Sequence, residues 1–126
     1  MQVNDPAAVA ELAALYPAYE RALVTNDVDS LTKFFWESPL ATRFGATENL
    51  HGFEEIARFR LSRPATNLAR TIRRLDIVTF GPDHGQITLE FERSMEGRTV
   101  HGRQSQLWVR FPEGWRIVSA HVSLLA

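Results

Sequence analysis

The sequence predicts an α+β fold in which three N-terminal helices pack against a curved, mostly antiparallel sheet, with an internal pocket between the layers. Two observations predict it. Up to Arg63-Pro64 apolar residues recur at helical steps of three and four, whereas everything after Thr66 is rich in Ile, Val, Thr, Phe and Trp and is cut by turn signals into long strands. Length supplies a third. At 126 residues, with no repeat or linker in view, the chain reads as a single domain over 1–126 that buries roughly two-thirds of its unfolded surface.

The first helix opens at Asp5-Pro6, an N-cap followed by proline at the first helical position. Val9, Leu12, Tyr16, Tyr19 and Leu23 then form one stripe that turns both tyrosines inward, and Pro17 frees a carbonyl one turn earlier and bends the helix beside them. Asn26-Asp27 ends this helix and caps a short second one with Leu31, Phe34 and Phe35 on its apolar face, stopping before Pro39. A brief extended piece, 41–45, carries Arg43 and Phe44. After Gly52 a third helix presents Phe53, Ile56, Phe59 and Arg63 on one face and closes at Arg63-Pro64. Strands are expected near 70–80, 85–96, 99–111 and 115–125, separated at Gly81-Pro82, Glu96-Gly97 and Glu113-Gly114.

Composition excludes several function classes. There is no cysteine, so disulfides, thiolate metal sites and a cysteine nucleophile are out. A formal net charge of -1 argues against a domain that holds nucleic acid by phosphate neutralisation. No apolar run reaches the roughly 20 residues that span a bilayer, and the start lacks a basic leader segment, so the expectation is a soluble, cytoplasmic chain. Lys33 is the sole lysine beside thirteen arginines, and arginine is the side chain suited to bidentate grip on carboxylates. His51, His84, His101 and His121 lack the spacing of metal ligands, and neither a metal nor another cofactor is called for.

If Glu113-Gly114 forms a two-residue turn, counting back pairs Trp108 with Ser119, Gln106 with His121 and Gln104 with Ser123, all on one face of the last hairpin. That face reads equally as cavity lining able to bind a urea carbonyl or nitrogen and as a satisfied polar network stiffening the sheet. The opposite face, with Leu107, Val109, Val118, Ala120 and Val122, packs on the helices or on a second subunit, and a homodimer or higher homo-oligomer is expected. Arg70, Arg73 and Arg74 mark a solvated strand edge.

The order of elements, with a last strand of the form Gly114-Trp115-Arg116-Ile117-Val118 running into Ser119-Ala120-His121-Val122-Ser123, is similar to the NTF2-like superfamily of cone-shaped domains. Sharper signals are Tyr19-Glu20, Asn26-Asp27, Phe34-Phe35-Trp36, Arg43-Phe44-Gly45, Glu48, Gly52, Phe59-Arg60, Arg63-Pro64, Thr79-Phe80-Gly81 and the run Gly102-Arg103-Gln104-Ser105-Gln106-Leu107-Trp108. Together these resemble the AtzH/HpxZ family from about Asn4 to Ser123. The resemblance implies a place in bacterial ureide and cyanuric acid catabolism, including atrazine degradation, alongside the amidases of those pathways. The activity it implies is decarboxylating amidohydrolysis of 1,3-dicarboxyurea to allophanate.

A small, flat dianion of that kind needs guanidinium forks in a sheltered cavity and a proton for the departing nitrogen. Tyr19 is the candidate donor; the alternative is a core aromatic whose hydroxyl meets a backbone carbonyl, one freed by Pro17 among them. Arg43 is the candidate carboxylate clamp, or else a surface arginine paired with Glu48 or Glu20. Arg60 and Arg63 are candidate ligands for a second carboxylate, although cations in a last helical turn also complement the helix dipole. Trp36 walls the pocket or fills core, and Gln104, Gln106 and His121 complete the candidate substrate-binding set. Two other readings compete. One is a non-catalytic binding or assembly subunit for a pathway amidase. The other is a ketosteroid-isomerase-like proton shuttle, which needs a buried carboxylate base, whereas Asp76, Glu90 and Glu92 are expected to face solvent.

Overall fold

A computed structural model describes residues 1–64 and 68–126. The expected onset of the strand region at Thr66 lies outside the described residues. Helix α1 spans Pro6–Val24, α2 Val28–Phe34 and α3 Phe53–Ser62; the strands are β1 Thr42–Phe44, β2 Asn49–His51, β3 Thr71–Phe80, β4 His84–Met95, β5 Arg98–Phe111 and β6 Gly114–Leu124. They form one curved, unclosed six-stranded sheet in the order β2-β1-β6-β5-β4-β3, antiparallel throughout except where β1 runs parallel to β6. The short strand β2 is absent from the sequence reading, because three residues carry too little periodicity to register.

Local chemistry builds the helices as read. Asp5 caps α1 by accepting from the Ala8 amide at 3.1 Å, and the stripe of Leu12, Tyr16, Tyr19 and Leu23 is buried against the sheet. The helix runs on through Pro17, which sits on the exposed side. Asn26 takes a left-handed φ of 53° and Asp27 caps α2, accepting from the Ser30 amide and hydroxyl. Helix α3 starts at Gly52 and ends because Pro64 holds Arg63 extended, at φ -73° and ψ 133°.

The three hairpins form a meander whose inner face alternates strictly along β4 and β5. Gly85, Ile87, Leu89 and Phe91 point inward from β4, and Gly102, Gln104, Gln106 and Trp108 from β5. The turn at Glu96-Gly97 has positive φ at both residues, 52° and 76°, matching the twist of a two-residue hairpin connection. Gly102 is required by packing: the Phe91 ring lies flat against it where a side chain would otherwise stand. The core comprises Leu12, Leu31, Phe35, Ile56, Ile87, Trp108 and Ile117 with their neighbours, sandwiched between helices and sheet.

One expectation needs correction. The last turn is Pro112-Glu113, flanked by Phe111 opposite Gly114, and the register then slips at a bulge between the Leu107–Ser119 and Trp108–Ile117 pairs. Val118 is the extra residue. Gln106 therefore stands opposite Ala120 and Gln104 opposite Val122, one residue away from the expected pairing. Side chains alternate with period two, so that offset moves His121, Ser119 and Ser123 to the outer face and brings Ala120 and Val122 inside.

Candidate active site

The bulge sets up one row of side chains across the inner face. Arg43 of β1 lies beside Ala120 of β6, Ala120 opposite Gln106 of β5, and Gln106 opposite Ile87 of β4. Alanine between a long cation and a long amide leaves room above it. That room is a hollow of about 70 Å³, lined by Tyr19 and Leu23 from α1, Arg43, Arg63, Arg70 and Arg93, and Gln104, Gln106, Ala120, Val122, Phe91 and Leu68. It holds only small guests. Larger recesses formed by other described residues lie on the surface and include neither Tyr19 nor Arg43.

Helix α1 delivers Tyr19 at 2% exposure, held edge-on by Phe34 and Trp108 at 5.5 and 6.3 Å between ring centroids. Its hydroxyl accepts from Arg60 Nη2 at 3.2 Å. Since a guanidinium only donates, the phenol oxygen is the acceptor there, and its own hydrogen stays available to the hollow. Arg60 is itself 1% exposed, yet its Nε and Nη1 have no partner. Burial, above all, lowers its pKa, and the nearby Arg43 charge adds to the effect.

Arg43 is 6% exposed, bonds Glu48 Oε1 at 2.8 Å, and lies 5.1 Å from the centre of the Phe59 ring. Glu48 is desolvated, which works against ionisation, but hydrogen bonds from Thr47 and Arg43 and the Arg43 charge win and hold its carboxyl below the usual range. Arg63 covers Phe59 from 5.8 Å, donates to Asn26 at 3.2 Å and keeps an unbonded Nε. Burial, then the charges of Arg60 and Arg43, bring its pKa to about 10, so it remains a cation at neutral pH. Asn26 thus serves twice, as helix breaker and as anchor.

The far wall is a closed network. Arg70 grips Glu20 through Nε and Nη2, both at 2.8 Å, stacks over Phe91 at 4.5 Å and donates to Gln104 Oε1 at 3.0 Å. Tyr16 donates to Glu20 at 2.9 Å and accepts from Gln104 Nε2 at 3.1 Å; burial first, and then the Glu20 charge, raise its pKa far above the ordinary phenol value. Gln106 accepts from the Trp108 indole at 3.0 Å, and its Nε2 is unbonded. Arg43, Arg60, Arg63 and Arg70 therefore converge where the nearby carboxylates are Glu20 and Glu48, each already bound to one of them. The hollow is cationic, with spare donors and little spare acceptor capacity.

The AtzH-like family model matches residues 1–126. The chain belongs to the AtzH-like family. It is similar to a DUF3225-family protein of unknown function from Pectobacterium atrosepticum, with 48% identity and a TM-score of 0.93 over 98% of this chain and 95% of that one. A protein of cystatin-like fold from Burkholderia xenovorans is 40% identical, with a TM-score of 0.91 over 100% and 98%. An NTF2-like superfamily protein from Salmonella enterica, at 23% identity and a TM-score of 0.75 over 95% and 92%, shares the fold. No curated protein matches. The fold is therefore NTF2-like, as its elements suggest.

Within this AtzH-like domain the structure brings Tyr19, Arg43, Arg63, Gln104 and Gln106 to one hollow, with Arg60 directly behind Tyr19 and not on the lining. Two candidates lie elsewhere. Trp36 stacks on Phe111 at 5.6 Å, because its backbone continues extended from Phe35, and alternation buries Phe35 while turning Trp36 the other way. His121 is exposed on the outer face, 5.9 Å from the Phe44 ring, as the Val118 bulge dictates. Arg70 departs from the expected solvated edge, being buried against Glu20, whereas Arg73 and Arg74 do face solvent. The sequence reading keeps Tyr16 as core and offers Glu20 only as a partner for Arg43, whereas these two bond each other and Arg93, not singled out there, joins the lining. The spacing of four between Tyr16 and Glu20 on α1 was the available signal. Asp76 and Glu90 are exposed and Glu92 pairs with Arg73 and His101, so no carboxylate from β3 or β4 among the described residues faces Tyr19. No helix among those residues is long and apolar enough to cross a membrane.

Proposed function

We propose that this protein is a decarboxylating amidohydrolase acting on a small dicarboxylated urea, 1,3-dicarboxyurea, to give allophanate. One observation carries the reading: a buried, under-bonded guanidinium donates to the Tyr19 hydroxyl at the wall of a small cationic hollow. A buried cation with a single hydrogen bond is costly to keep, and such cost accumulates where function demands it.

The dianion docks with a carboxylate on Arg43 and Arg63, whose charges and forks match it. The bond between the other carboxyl carbon and its nitrogen then breaks, carbon dioxide departs, and the electron pair passes to nitrogen, delocalised into the urea carbonyl. Tyr19 gives its proton to that nitrogen. The resulting phenolate lies against Arg60, which stabilises the charge as it forms, and a proton from water restores the phenol. The dianion plus one proton becomes allophanate and carbon dioxide. Arg60 is thus a positioning residue for Tyr19.

Purified protein incubated with 1,3-dicarboxyurea is expected to release carbon dioxide and allophanate well above the spontaneous rate; turnover equal to that rate removes the proposal. Replacing Arg60 with Met is expected to cut kcat while raising the unfolding free energy by about 1–4 kcal/mol, since apolar packing in place of an ill-paired buried ion is often stabilising. Chemical denaturation and kinetics on the same sample check both halves.

A second reading rests on the outer sheet face, where Leu107 is 42% exposed beside half-buried Val109 and Val118. Such a face suits a second copy of the chain or a pathway amidase in a non-catalytic assembly role. Size-exclusion chromatography with and without the amidase separates these, and a co-eluting complex that shows no turnover favours the assembly role.

A further inference from the structure

Among the described residues, the side-chain amide and carboxylate oxygens bordering the hollow are already engaged. Glu20 accepts from Arg70 and Tyr16, Glu48 from Arg43 and Thr47, Gln104 Oε1 from Arg70, and Gln106 Oε1 from the Trp108 indole. Donors among the described residues that keep no hydrogen-bond partner include Gln106 Nε2 and Arg63 Nε, and the Tyr19 hydroxyl hydrogen adds to them. Among the described side chains, such a lining rewards ligand oxygens more than ligand N–H groups.

Gln106 is 1% exposed and Trp108 wholly buried, so bulk water does not compete for the indole N–H. An indole N–H can only donate, which obliges the amide to turn its oxygen toward Trp108 and its nitrogen away. Charged forks already suit the carboxylates, and a neutral amide donor suits a neutral carbonyl.

We propose that Trp108 locks the Gln106 amide so that Nε2 reads the ligand's central carbonyl oxygen, making Gln106 the selectivity residue and Trp108 its positioning residue. This rests on the dicarboxylated-urea reading, and it leaves the two urea N–H groups unread.

The test uses two five-carbon dicarboxylates in calorimetric titrations. 3-Oxoglutarate keeps the central carbonyl and replaces both N–H groups with methylenes; glutarate lacks the carbonyl. Wild-type protein is expected to bind 3-oxoglutarate about tenfold more tightly, the scale of one buried hydrogen bond gained rather than left unmade. In Gln106→Met and in Trp108→Phe the two affinities should come within twofold of each other. A purely structural loss would weaken both ligands and keep their ratio. If Trp108→Phe does not fold, Gln106→Met carries the comparison. Equal binding in wild type, or a preference surviving in Gln106→Met, overturns the proposal while the dianion reading stands. A preference surviving in folded Trp108→Phe overturns the lock. No binding of either dicarboxylate to wild type overturns both readings together.

Discussion

Replacing Tyr19 with phenylalanine is expected to lower kcat for dicarboxyurea breakdown by roughly 100-fold to 10,000-fold, the range that a positioned general acid supplies. KM should move little, because the hydroxyl is asked to act only as the nitrogen gains its proton. The ring contacts with Phe34 and Trp108 survive the change, so the pocket keeps its shape. The hydroxyl is, however, the hydrogen-bond partner of Arg60. Stranding that guanidinium costs about 1–3 kcal/mol, which a denaturation curve should register. A folded Tyr19→Phe protein with kcat within twofold of wild type would sink the assigned role.

Arg43→Met is expected to reduce kcat/KM by about 30-fold to several thousand-fold, the cost of truncating one side of a desolvated charge pair, about 2–5 kcal/mol. The loss has two parts. The proposed clamp on the ligand disappears, and Glu48, which bonds Arg43 at 2.8 Å, becomes an unopposed negative charge beside the proposed dianion site. Adding Glu48→Gln to Arg43→Met separates them: the double variant should regain part of the binding but not the turnover. Full recovery in the double variant would show that Arg43 serves only to neutralise Glu48, and steady-state kinetics on the three proteins decides it.

Much of the frame was legible because its causes are local. Asp5-Pro6, Asn26-Asp27 and Arg63-Pro64 bound helices by capping and proline sterics, and Glu96-Gly97 makes a turn through positive φ, so each carries its signal within a few residues. The inward stripe likewise put Tyr19 in the core before any coordinates. The failures share a cause as well. The Val118 bulge leaves no mark in the pattern of strand residues, yet it decides which face His121 joins. Arg70 looked like its neighbours Arg73 and Arg74 until Glu20, fifty residues earlier, claimed it.

By itself, then, the sequence determined the order and type of the elements, their caps, and the arginine-rich, cysteine-free chemistry available to them. Only the tertiary structure decided which cations meet. Arg60 stands behind Tyr19 and Arg43 beside Ala120 because a helix end and a strand register were set by packing across the whole sheet. Periodicity specifies a face, but which residues oppose one another across two layers depends on contacts between distant segments that no single stretch encodes.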